Sequence, residues 1–286
     1  MIVQSAPMRA VAAGVDGWPD PVGPARLVLT MQQHTATARV LARHFGGVDG
    51  FDRLEPLDLM VDLVGEHDRG WIPVDDAAPR CPGTGLPWSV YETPTTLSIG
   101  TGPRSIDHNE SRHPYRGLLA SLHIVGIYDG RHGLDPTRVL DVVPAESREL
   151  LEPMIAAERR RQERLTEQLE ADPVTARWMG PVLWRNYKAL QLFDRLALWL
   201  QVTHPADRRP TTIADVPTTG GGDVTVEVSP IDERVVRIDP FPFDTDPLDL
   251  TVEGRWLVPQ PPGVDLAAAL ADAPPAHQPV TLVGPG

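Results

Sequence analysis

Three histidines and two aspartates of this chain fall where its hydrophobic pattern asks for apolar side chains. His34 shares a helical stripe with Ala38, Leu41 and Phe45, at spacings of four, three and four. Met60, Val64 and His67 share a second face, and Val61, Val64 and Asp68 an adjoining one. The neighbours His67 and Asp68 diverge by about 100° on a helix and so straddle that stripe. Tyr115, Leu119 and His123 recur at four, and Tyr187, Leu190, Asp194 and Ala197 run at three, four and three. Most histidines on an apolar face are hydrogen-bonded core residues, and a buried Asp commonly pairs with an arginine such as Arg195. A carboxylate out of water is nevertheless costly without a partner, and one divalent cation would neutralise Asp68 and Asp194 together. Three imidazoles and two carboxylates suit Fe, Mn, Zn or Ni better than Mg or Ca, which favour all-oxygen shells.

The elements that must position these residues follow from periodicity and breakers. A short strand over 26–31 feeds a helix from about 32 to 45, and a second helix spans about 57–66. Residues 72–104 read as a long Pro- and Gly-rich connection, of a length that is often functional. Helical patterns resume over 114–127, 147–171 and 181–202, the last with Pro181 at its start. Strands are expected over 224–228, 234–238 and 248–257, with Gly220, Gly221 and Gly222 and then Pro230 as breakers. The expectation is α+β: residues 1–204 as a helical metal-binding core with a short N-terminal strand, and residues 205–286 as a β-rich part packed on it. That part is an antiparallel sheet, with no flexible Gly/Ser spacer before it.

Composition removes several function classes. With Lys+Arg 26 against Asp+Glu 39, the formal charge of −13 argues against nucleic acid and against an anionic membrane face. Cys81 is the single cysteine, so neither an internal disulfide nor a cysteine-rich zinc site can form. As a nucleophile it lacks any sequence feature that would lower its pKa. Residues 1–20 lack the pattern of a secretory signal, and no stretch reaches the eighteen apolar residues of a membrane helix. The expected setting is the cytoplasm and the expected partner a small-molecule substrate. Trp71 and Trp88 could line a pocket near His67 and Asp68, although most tryptophans are core residues.

His34, the adjacent His67-Asp68 and the distant Asp194 resemble the H…HD…D signature of the HD-domain superfamily. At finer grain the chain resembles an uncharacterised bacterial family, domain of unknown function 3891. That likeness lies in Gln33-His34, in Glu66-His67-Asp68-Arg69-Gly70-Trp71, in Ser121-Leu122-His123, in Phe193-Asp194-Arg195-Leu196, and in Pro240-Phe241-Pro242-Phe243-Asp244. The HD resemblance implies a helical metalloenzyme: a phosphohydrolase, or else a di-iron oxygenase. It implies His34, His67, Asp68, His123 and Asp194 as ligands of one or two ions, with His67 and Asp68 central to catalysis and Asp68 the natural bridge. His108, His113, Glu66 and Glu92 stay open as a further ligand. Arg69, Arg131 or Lys188, or else Arg112 or Arg116, could hold a phosphate. The finer family brings no activity, and a non-enzymatic binding module is the remaining alternative.

Overall fold

The structure, a computed structural model, describes residues 1–8 and 23–286. Most of the stretch read for a secretory signal lies outside those residues. Six longer helices and one seven-stranded sheet make an α+β fold. The helices are α1 (Met31–His44), α2 (Leu57–Glu66), α3 (Thr101–Arg112), α4 (Pro114–Tyr128), α5 (Ala145–Ala171) and α6 (Pro181–Val202). Their starts follow local chemistry. Thr30 and Gln33 close a reciprocal capping box on α1. Pro114 and Pro181 occupy the first positions of α4 and α6, where a missing N–H costs nothing.

The strands are β1 (Ile2–Val3), β2 (Arg26–Leu29), β3 (Thr211–Pro217), β4 (Asp223–Pro230), β5 (Val235–Asp239), β6 (Leu248–Leu257) and β7 (Pro275–Val283). Their order across the sheet is β1-β2-β6-β7-β5-β4-β3. The N-terminal strands thus extend a sheet built mostly from the far end of the chain, through Leu27 opposite Trp256. The expected antiparallel sheet holds at every pair except β5 with β7, which is parallel. The reason is topological. β5 and β6 run oppositely but leave a one-strand slot between them, and β7, filling it antiparallel to β6, must run parallel to β5.

One continuous core joins the layers, with Leu41 of α1, Phe45 just past its end and Phe193 of α6 meeting Val226, Val252 and Leu282 of the sheet. α1 lies against β6 and α6 against β3, so both helices have a rigid floor. The expected connection over 72–104 is more ordered than its composition indicated. It holds a short helix, Ile72–Ala77, and a turn, Thr95–Ser98, before α3 begins. α3 also places His108, in the polar run Asp107-His108-Asn109-Glu110, on a helix. Its buried stripe is Thr101, Gly102, Ser105 and Asn109 around a single Ile106, too few apolar residues for hydrophobic periodicity to register. Strands β3 and β7 escaped the sequence reading too; β7 carries Pro275 and Pro279, which hide the alternation of buried Ala276, Val280 and Leu282.

Candidate metal centre

α1, α2, α4 and α6 converge on one buried polar cluster. His34 rises from the first turn of α1, His67 closes the C-terminus of α2, His123 sits in α4 and Asp194 in α6. Asp68 begins the tight turn Arg69–Trp71, which is pressed against α3. Gly70 makes that approach possible, since a Cβ there would lie 1.9 Å from the Thr101 carbonyl oxygen. The turn is then fastened by Gly70 N–H donating to Ser105 Oγ at 2.9 Å. All five side chains are buried, the imidazoles almost completely and Asp68 and Asp194 at 8% exposure.

His34 Nε2 lies 3.1 Å from Asp194 Oδ1. His67 Nε2 lies 3.5 Å from Asp68 Oδ2 and 3.6 Å from Asp194 Oδ1. The latter contacts are too long for good hydrogen bonds. His67 Nε2 is therefore buried with no hydrogen-bond partner while facing two carboxylates. Ligand atoms about 2.1 Å from a shared ion stand roughly 3.0 Å apart in an octahedron and roughly 3.4 Å in a tetrahedron. The three separations match such edges. His34, His67 and Asp68 form a group that could hold a metal ion, their ligand atoms all within 4.8 Å of one another. Asp194 abuts it through both imidazoles. His123 adjoins it, its ring 5.0 Å from that of His67, but stands outside the tight group.

Each imidazole is held at its other nitrogen. His34 Nδ1 meets Gln201 Oε1 at 2.8 Å, and Gln201 Nε2 donates onward to Thr37 Oγ1. His67 Nδ1 donates to the Val64 carbonyl at 2.8 Å. His123 Nδ1 meets the Gln191 side-chain amide at 2.9 Å. A proton fixed on Nδ1 of His34 and His67 leaves each Nε2 lone pair turned inward, the orientation a metal-ligating histidine requires. Gln191 and Gln201 were missed in the sequence. Their signal was present: with Asp194 they sit at spacings of three and seven on a face of α6 that is otherwise apolar.

Electrostatics follow from this crowding. Burial alone would push the His67 imidazole down, but Asp68 and then Asp194 override it and raise it to about 9. Burial likewise opposes the Asp194 charge, yet the imidazoles of His34 and His67 hold its carboxyl well below the usual carboxylate range. At His123 burial outweighs the pull of Asp194 and Asp68 and pushes it down to about 4, so it is neutral at pH 7. The carboxylates thus demand a positive charge at His67 Nε2, which a proton or a metal ion can meet.

The other residues singled out in the sequence lie elsewhere. Glu66 pairs with Arg116 and with His108 Nε2 at 3.0 Å, so Glu66 and His108 spend their polar atoms on each other. His113 caps α4, accepting from Tyr115 N–H, and Glu92 is exposed. Arg69 lies 3.9 Å from Glu66, and Lys188 pairs with Asp223. Arg131 instead lines a cavity of about 410 Å³ that also exposes Asp68, His123, Asp194 and Trp71. Cys81 is buried. No helix among the described residues is long and apolar enough to cross a membrane.

Fold and cluster together define an α+β protein with a buried His–His–Asp group that could hold a metal ion. The chain belongs to the family described as protein of unknown function DUF3891, whose model matches residues 23–259. No curated protein and no solved structure matches it.

Proposed function

We propose that this chain is an HD-like, metal-dependent hydrolase of a small phosphoester, with His34, His67, Asp68 and Asp194 as ligands and His123 at the rim. One observation carries the reading: His67 Nε2 is buried, unpartnered and aimed at two carboxylates at coordination-edge distances. A bound divalent ion would supply an acidified water and offset charge on the ester. The chain's own residues do the rest. Gln201 and the Val64 carbonyl fix the two imidazoles, and the cavity wall of Trp71 and Leu198 limits the water around the ester. In the overall reaction the water oxygen joins phosphorus, the ester P–O bond breaks and the departing alcohol takes a proton.

The residues considered as a further ligand are engaged in other contacts or exposed, which favours one ion over two. That weighs against the di-iron oxygenase reading. Elemental analysis of chain purified without chelator, paired with turnover of 4-nitrophenyl phosphate before and after chelation, tests the proposal. Stoichiometric transition metal and chelator-sensitive turnover are expected. Metal without turnover on any phosphoester would leave a binding module with a structural ion, and His67→Ala protein with undiminished metal would sink the site.

A further inference from the structure

We propose that Arg131 and Arg195, with the apolar cavity beside the metal group, form a subsite for one phosphoryl group carried on an apolar body. The substrate class is then an aryl or branched-alkyl phosphomonoester. This rests on the hydrolase reading for its chemistry, though not for its binding.

The arginines supply the first part of the case. Arg69, Arg116 and Lys188 are neutralised by Glu66 or Asp223. Among the described residues no carboxylate stands within 4.0 Å of Arg131 or Arg195, and neither guanidinium donates a hydrogen bond. Only longer-range attraction from Asp135, Asp194 and Asp215 reaches Arg195. Arg131 Nη1 is buried without a partner. Two guanidinium groups share the walls of two neighbouring crevices, and the first of them also lines the cavity that exposes Asp68 and Asp194. A pair of planar, five-donor cations without a carboxylate partner, on the walls of the same crevices, suits an anionic oxygen cluster.

Backbone strain supplies the second part. Arg131 and His132 are consecutive non-glycine residues in the left-handed region, at φ 51° and 56°. Such a conformation persists only where its surroundings impose it. Here His132 is the anchor: its Nε2 meets the Leu122 carbonyl at 2.9 Å, and its ring packs edge-on against Trp184 and Tyr187. With His132 fastened, Arg131 stands on the cavity wall and on the two crevices beside it.

The third part is the rest of the wall. Ile99, Ile124, Val139, Leu151, Met154 and Leu198 present hydrocarbon, and Arg131 is the one Lys or Arg side chain among its described lining residues. A nucleotide polyphosphate would need more cations and more donors; an apolar alcohol with a single phosphoryl group fits both halves.

Binding of two phosphonates with the same head tests this by calorimetry on the full, metal-loaded chain. Phenylphosphonate should bind at least tenfold tighter than methylphosphonate. Arg131→Asn accepts the left-handed conformation more readily than Arg, so it should fold with equal or greater heat stability and unchanged metal content. It should lose at least tenfold affinity for both ligands, as should Arg195→Met. Ile99→Trp, which narrows the cavity, should erase the preference for the phenyl group while methylphosphonate binding stays. Equal affinity for the two phosphonates, or undiminished affinity in folded Arg131→Asn and Arg195→Met, overturns the subsite and leaves the metal reading intact. Should the chain hold no metal yet keep the whole binding pattern, the hydrolase reading falls and the subsite stands.

Discussion

The helices and the C-terminal strands handle polar atoms in opposite ways. From Arg209 onward no polar or charged side chain is buried among the described residues; the sheet's inner face is Val226, Val228, Val236, Ile238, Val252, Val280 and Leu282. The helical layer buries His34, His67, Asp68, Asn109, Arg116, His123, Glu158, Gln191, Asp194 and Gln201. Desolvating such groups is expensive unless each finds a partner. A chain that makes an apolar core at one end could have made one at the other. The contrast teaches that the helical layer spends stability on something other than folding, while the sheet is the hydrophobic floor that makes the outlay tolerable.

The comparison can be broken most directly at the ligands. Structural four-ligand zinc sites are worth about 10–16 kcal/mol, so one ligand's share is roughly 3 kcal/mol and two ligands' roughly 6 kcal/mol. His67→Ala with Asp194→Asn should therefore strip the chain of metal while circular dichroism stays native. If Asp194 were only a hydrogen-bonding core residue, Asn alone would cost within about 1 kcal/mol and metal content would not change. In the sheet the reverse is expected. Leu282→Ala, fully buried, should cost about 2–5 kcal/mol in denaturant unfolding. The molecules that remain folded should bind metal as before.

Smaller effects sharpen the contrast. Gln201 touches no proposed ion; it holds His34 and donates to Thr37. Gln201→Leu should weaken metal affinity by about 10–100-fold, the usual range for a residue that orients a ligand. A titration showing unchanged affinity would make the glutamine a space-filler. The smallest effect belongs to Glu66. Burial opposes its charge, but Arg116 and His108 hold its carboxyl below the ordinary value of 4.5. A carboxyl lowered by folding contributes stability above its unfolded pKa and loses it as pH falls through the folded one. Glu66→Gln should thus cost roughly 1 kcal/mol at pH 7, where a part-exposed pair is worth little more. The gap from the parent chain should close as pH falls below about 4; a constant gap across pH would assign the loss to packing.

Elements with strong periodicity and caps were legible in the sequence. α2, α6 and β6 have the bounds their apolar spacing gave, and α1, α4 and α5 differ by a residue or two at their ends. Those with small or polar buried faces were not: α3 buries Thr101, Gly102, Ser105 and Asn109, which carry no hydrophobic signal. The five site residues were legible because each is a polar residue interrupting an apolar stripe. Their mutual distances were not, since spacing along one helix says nothing about the angle at which another crosses it. Arg131 stood in the sequence as one of several arginines. Only the loss of partners for it, and their presence for Arg69 and Arg116, set it apart.

The contact between His34 and Asp194 spans 160 positions of chain. Closing so long a loop costs configurational entropy before any contact rewards it. An ion bridging α1 and α6 would act as a reversible cross-link across most of the polypeptide. Its concentration would then enter the folding equilibrium, adding about 2.7 kcal/mol when the free ion stands at a hundred times its dissociation constant. Amide protons around His34 in α1 and around Asp194 in α6 would exchange in step with one another, and both would slow as the ion is supplied, although the two helices lie on opposite sides of most of the sequence.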